Sequence, residues 1–305
     1  MITGFGDAAL EAVERKRSVV VVGLDPTLGR LPLALQPRDT TASAAAQAIE
    51  EFCVGITGAV AEIAVAVKPQ IAFFERWGAS GLQALERVAR FAKAKGLLVI
   101  LDAKRGDIGS TAEAYAAAYL DEPGLGEAID AITVNPYLGT DATEPFLRRA
   151  QERGKGVFVL VRTSNPSAGE LQDRRLEGGT LVYEAVARLV EGWSRAAIGA
   201  SGYSNVGAVV GATAPEQLRR VREILPRHWL LLPGYGTQGA GPEDVVAGLD
   251  GRGAGVLVNA SRSIIYAWQE RRREDAEGRD YAQAAREAAE EMREAINAAA
   301  QKQRR

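Results

Sequence analysis

Eight short apolar runs recur along the chain, separated by longer segments with helical periodicity. They are SVVVVGL (18–24), IAVAVKP (63–69), GLLVILD (96–102), AITVNP (131–136), GVFVLVR (156–162), VGAVVG (206–211), WLLLPG (229–234) and AGVLVN (254–259). The runs are rich in β-branched residues and almost unbroken by polar ones. Parallel strands covered on both faces require that pattern. Between them, Leu82, Leu85, Val88 and Ala92 are spaced for one helix face that stops at Gly96. The stretch Ser110, Thr111, Ala112, Glu113 reads as a capping box opening an alanine-rich helix. Thr213 and Pro215 open the pattern Leu218, Val221, Leu225. Eight strand–helix alternations in 305 residues predict a closed (β/α)8 TIM barrel. An open dinucleotide-binding sheet fits less well, because VGLDPTLG after the first run lacks the GxGxxG pattern.

The barrel is expected as a single domain over residues 1–305. Residues 26–41 read as a proline-containing loop. Residues 270–305 read as a C-terminal helical extension lying on the outside of the barrel. Its stripe of Tyr281, Ala285, Ala288, Met292, Ile296 and Ala299 would face the barrel, its charges would face solvent, and its last residues would fray.

A formal charge of −2 and the absence of a basic stripe argue against a nucleic-acid partner. No apolar run approaches the ~20 residues of a membrane helix, and the first residues hold no signal-like apolar stretch. A single cysteine, Cys53, sits in the apolar pattern Ile49, Phe52, Ile56, Val60 and reads as core filler. With no disulfide possible within the chain, the expected compartment is the reducing cytoplasm. His228 is the only histidine, so a His-based triad or a multi-histidine metal site is effectively excluded and the ring reads as structural.

Active sites of such barrels form at the C-terminal ends of the strands. All of the runs but the sixth deliver candidate residues there: Asp25; Lys68; Asp102 and Lys104; Asn135; Arg162 and Ser164; then, after the seventh, Pro233, Gly234, Gly236 and Gln238; and after the eighth, Asn259, Ser261, Arg262 and Ser263. Asp102 and Lys104 are two apart, so strand alternation would point both into the mouth. Lys68 comes from the neighbouring strand, and Asp107 follows shortly after. An alternating Lys–Asp–Lys–Asp array keeps each charge partnered where an isolated buried charge would cost several kcal/mol. The plain alternative is an ordinary salt bridge at a strand end. The loops after strands seven and eight are the recurrent phosphate site of barrels, where Gln238 and Arg262 supply donors.

With those residues in view, LDAKRGDIGST (101–111) resembles the D-x-K-x-x-D signature of the orotidine 5′-phosphate decarboxylases, above all their longer bacterial branch. GLDPTLGRLP, VNPYLGTDATEPF, RTSNPSAGELQ, LLPGYGTQG and VNASRSI resemble other blocks of that branch, so the likeness spans about residues 5–270. The resemblance implies decarboxylation of orotidine 5′-monophosphate to UMP and CO2, without metal or cofactor. It makes Lys68, Asp102, Lys104 and Asp107 the catalytic tetrad, with Lys104 protonating C6 and Asp102 against the substrate carboxylate. It gives Asp25 and Lys68 to the ribose, Ser164 to the pyrimidine edge, Pro233 to the pocket wall, and Gln238 and Arg262 to the phosphate. It further implies a homodimer in which Asp107 and Thr111 reach the neighbouring site. Arg105 and Gly106 inside the signature, and Ser261 where glycine often stands, depart from shorter members.

Three other readings compete. A Mg²⁺-dependent 3-keto-gulonate-6-phosphate-type decarboxylase of the same suprafamily carries an acid where this chain has Lys68. A Schiff-base aldolase needs a neutral lysine, which Asp102 and Asp107 would oppose. A binding protein for phosphate ligands would not need four pocket charges.

Overall fold

The computed structural model describes residues 4–121, 123–237, 239–271 and 277–303. Eight parallel strands close in sequence order into a barrel. They are β1 (Val20–Leu24), β2 (Ala66–Pro69), β3 (Leu98–Arg105), β4 (Ala131–Val134), β5 (Gly156–Arg162), β6 (Val206–Val210), β7 (Leu230–Pro233) and β8 (Val256–Ala260). Each lies within or overlaps one of the eight apolar runs.

Strand parity sets what the barrel encloses. Val21, Ala66, Ile100, Ala131, Phe158, Leu231 and Leu257 form one interior cluster. Two residues further along those strands stand Gly23, Lys68, Asp102, Thr133, Leu160, Pro233 and Asn259, all but Gly23 lining a cavity. The interior is therefore apolar at the base and polar at the C-terminal mouth. The alternate residues of the strands pack outward against the helices in a second, larger cluster.

Helix Phe5–Lys16 closes the base. Phe5 meets Phe158 edge-on with ring centroids 5.5 Å apart, and Trp229 Nε1 donates to the Gly6 carbonyl at 3.1 Å. The C-terminal helix runs Tyr281–Gln303 and buries Ala285, Ala288, Met292, Ile296 and Ala299 as the stripe predicts. The rest of the expected extension is the short helix Trp268–Arg271, together with residues 272–276 and 304–305, which lie outside the described residues. Residues 26–41 hold only two 3-10 turns, Leu28–Arg30 and Leu33–Leu35. Among the described residues no helix is long and apolar enough to cross a membrane.

Three local expectations differ. Leu82 is exposed, because the buried face of helix Gly78–Ala94 runs through Gly81, Leu85, Val88 and Ala92. The capping box does not form: helix Gly109–Leu120 begins one residue before Ser110, with no side-chain cap. Gly109 at φ +54° makes that earlier entry, and Glu113 instead pairs with Arg148 and Arg149. Thr213 caps nothing; helix Pro215–Ile224 starts on its proline at N1. Cys53 and His228 are buried as expected, and His228 Nε2 lies 2.6 Å from Ser194 Oγ.

Candidate active site

Asp102 stands at the centre of the mouth. Lys68 Nζ donates to its Oδ2 at 2.6 Å, and Lys104 Nζ to its Oδ1 at 2.5 Å. Thr133 on β4 adds a hydroxyl donor to Oδ1 at 3.1 Å. Lys68 and Asp102 are buried, whereas the Lys104 side chain is 45% exposed toward the cavity. Burial alone would raise the Asp102 pKa, but Lys68 and Lys104 outweigh it and hold the carboxyl well below the usual carboxylate range. Burial likewise works against a charged Lys68, but Asp102 and Asp25 hold its ammonium above the usual lysine range. Both charges are therefore fixed at neutral pH.

Asp102 and Lys104 do converge, but not by simple strand alternation. Leu101 pairs with Ile132 and the next pairing is Arg105 with Val134, so four steps along β3 span two along β4. The two extra residues form a bulge in which Lys104 adopts φ +47°, a left-handed conformation uncommon for a residue with a Cβ. Such backbone persists only where its surroundings enforce it, and it concentrates at functional sites.

The cavity around this array has a volume of about 420 Å³. Leu160, Val209 and Leu231 make its apolar floor; Thr163, Ser164 and Asn165 make one wall; Pro233, Gly234, Tyr235 and Thr237 make another. Asp25, Asn259, Ser261 and Arg262 complete it. Among the described residues Arg262 forms no ion pair. Asp25 Oδ1 and Asn259 Oδ1 are buried without a hydrogen-bond partner among the described residues. An unmet buried acceptor costs about 1–3 kcal/mol, which a ligand donor would recover. Lys68, Lys104 and Arg262 against Asp25 and Asp102 leave one excess positive charge, suited to an anion.

Of the expected site residues, Asp25, Lys68, Asp102, Lys104, Ser164, Pro233 and Arg262 share this cavity. Gln238 lies outside the described residues. Asp107 and Thr111 do not line the cavity; Asp107 Oδ1 accepts from the Ile108 N–H at 2.8 Å, and Thr111 is exposed on helix Gly109–Leu120. Two strand-end residues have local roles instead. Arg162 forms a two-pronged pair with Asp173 at 2.9 Å on each prong, and Asn135 accepts from the Tyr137 N–H. Thr133 and Gln70 were not expected. The signal for Thr133 was a hydroxyl at an inward position of an otherwise apolar strand.

A family model described as "Orotidine 5'-phosphate decarboxylase / HUMPS family" matches residues 18–277. The chain belongs to that family. An orotidine 5′-phosphate decarboxylase of Rhodopirellula baltica is 48% identical over 263 residues, covering 84% of this chain and 86% of the relative. One from Caldicellulosiruptor bescii is 40% identical, covering 97% and 98%. The solved structure of Leishmania donovani OMP decarboxylase aligns with a TM-score of 0.72 and 39% identity, covering 97% of this chain and 98% of the other. The family's barrel and this chain's closed eight-stranded sheet agree.

Proposed function

We propose that this chain decarboxylates orotidine 5′-monophosphate to UMP and CO2 in pyrimidine biosynthesis, with the Lys68–Asp102–Lys104 array as its catalytic centre. The observation that carries the reading is Asp102 held ionised between two ammonium groups at the mouth of β3, in a chain of the decarboxylase family.

Loss of CO2 from C6 leaves an electron pair in the plane of the pyrimidine ring, out of reach of π delocalisation. A fixed cation can stabilise that charge without reorganising as it develops. Lys104, the most exposed member of the array in the cavity, fills the role and then protonates C6. Asp102 faces the departing carboxylate and holds the Lys104 Nζ through its Oδ1. Asp25, with its unmet acceptor, and Lys68 suit ribose hydroxyls. Ser164 suits the pyrimidine edge, Pro233 the pocket wall, and Arg262, with Gln238, the phosphate. Phosphate binding remote from C6 supplies orientation for the ring. No step of this chemistry calls for a metal or an organic cofactor. Lys68, placed against Asp102, also disfavours a divalent cation there, which weighs against the Mg²⁺-dependent alternative.

We read the enzyme as a homodimer in which Asp107 and Thr111 complete the partner's site. Asp107 does not line its own cavity, and the loops after β3 and β4 carry exposed apolar side chains, Ile108, Tyr137 and Leu138. Such a cluster fits a subunit interface better than open solvent. The unpaired buried Cys53 suits the cytoplasm. We read the described residues as one barrel domain with its C-terminal helix.

The test is loss of orotidine monophosphate absorbance with formation of UMP, in the presence and absence of EDTA. Turnover insensitive to EDTA is expected. No turnover, or turnover lost with EDTA, contradicts the reading.

A further inference from the structure

The β3 bulge leaves the backbone N–H groups of Ala103 and Lys104 without a partner on the β4 ladder. Both donate instead to one atom, Thr133 Oγ1, at 3.0 and 2.9 Å. That hydroxyl donates its own proton to Asp102 Oδ1 at 3.1 Å. A hydroxyl has one donor and two acceptor sites, so its capacity is filled. The residue is buried to 1% exposure. Asp102 Oδ1 thus receives Lys104 Nζ and the Thr133 hydroxyl together, while the same hydroxyl grips the Lys104 main chain in its left-handed conformation.

We infer that Thr133 is a positioning residue for the reaction: its hydroxyl sets the bulge that aims Lys104 and holds the Asp102 carboxylate in register with it. The inference rests on the decarboxylase reading. Thr133 acts through Lys104, and so moves the proton-transfer step more than ligand binding. Valine has nearly the same shape but neither donates nor accepts. Thr133→Val therefore leaves the buried Ala103 N–H and the part-buried Lys104 N–H without their acceptor and removes one of the two donors to Asp102 Oδ1. The Lys104 turn relaxes toward ordinary strand geometry, and its ammonium leaves the position where charge develops. A misplacement near 1 Å lowers turnover by roughly a hundredfold.

The test compares wild type, Thr133→Val and Thr133→Ser in three measurements: kcat and KM for orotidine monophosphate, the Kd for UMP, and exchange of the UMP C6 hydrogen in D2O. In the exchange, a neutral Lys104 amine takes the C6 proton, leaving the ring carbanion, and the ammonium returns a deuteron to C6. Expected are a kcat for T133V lower by roughly a hundredfold with KM and the UMP Kd little changed, exchange slowed in the same proportion, and most of both rates restored in T133S. A merely structural role would weaken UMP binding along with turnover and would not slow exchange in step with kcat. T133V turning over at the wild-type rate overturns the inference while leaving the decarboxylase reading intact. Should T133V lose UMP binding altogether, T133S decides: near-wild-type kcat supports the hydroxyl's role, and kcat as low as in T133V overturns it. A wild-type chain inert toward orotidine monophosphate overturns both.

Discussion

Lys68 and Asp102 meet at 2.6 Å on adjacent strands, one residue past Val67 on β2 and three past Val99 on β3, the last ladder pair of the two strands, where the barrel interior changes from apolar to charged. Each helps to keep the other ionised against the effect of burial, with Lys104 adding to the hold on Asp102 and Asp25 to that on Lys68. Removing Asp102 alone leaves the buried Lys68 ammonium uncompensated, which costs about 3–5 kcal/mol, whereas replacing both partners with apolar residues is close to neutral. Asp102→Ala is therefore expected to lower urea stability at pH 7 by several kcal/mol, and Lys68→Met with Asp102→Leu to recover most of it. The depressed Asp102 pKa makes its contribution full above the unfolded value, about 3.9. The elevated Lys68 pKa makes its contribution full below the unfolded value, about 10.4. In the wild type the pair should therefore add no pH dependence to stability across the neutral range.

Gly23 and Ser261 face one another across the β1–β8 seam. A Cβ at Gly23 would lie 1.9 Å from Ser261 Oγ and 3.1 Å from Asn259 Oδ1. Gly23→Ala must push Ser261, and Arg262 after it, out of place. Raised KM for orotidine monophosphate is expected if Arg262 serves the phosphate as proposed. Ser261→Gly in the same chain should bring KM most of the way back, the signature of two coupled neighbours. Unchanged KM in Gly23→Ala would show that the seam has room to shift.

Asp107 does not line its own cavity, so the catalytic role proposed for it requires a second subunit. Lys104→Ala and Asp107→Ala homodimers should both be inactive. Mixed after mild dissociation, they should regain activity, because a heterodimer contains one site with Lys104 and the partner's Asp107 both intact. No recovery on mixing would place Asp107 in its own subunit's site or outside catalysis.

Much of this was legible in the chain. The eight strands could be read because each is buried on both faces and therefore apolar without interruption. Lys68, Asp102 and Arg262 could be read because parity and strand ends place them. Three things escaped. The Lys104 bulge follows from a ladder slip between two strands, which no single strand records. Thr133 matters through backbone groups freed by that slip. The helix at Gly109 starts early because a glycine turn replaces the side-chain cap that Ser110 and Glu113 spell out, while Glu113 finds guanidinium groups on helix Thr140–Arg153.

The only histidine gives a pH signature distinct from the active site. Burial, reinforced by Arg222, lowers the His228 pKa to about 4, against about 6.5 in an unfolded chain. The unfolded state binds the proton first on acidification. Its stabilising effect is therefore complete above pH 6.5, declines as pH falls toward 4, and amounts to about 3 kcal/mol. Urea unfolding at steps between pH 7 and 4 should show that decline, and His228→Gln should flatten it. An equal slope in the variant would assign the decline to other groups.

The central claim is that Lys104 carries the proton to C6. Lys104→Ala measured in single turnover, beside UMP binding by the same protein, tests it most directly. Loss of turnover by roughly a thousandfold or more is expected, the upper part of the range for a positioned acid acting with a fixed charge, with UMP still bound. Wild-type kcat in Lys104→Ala would contradict the account.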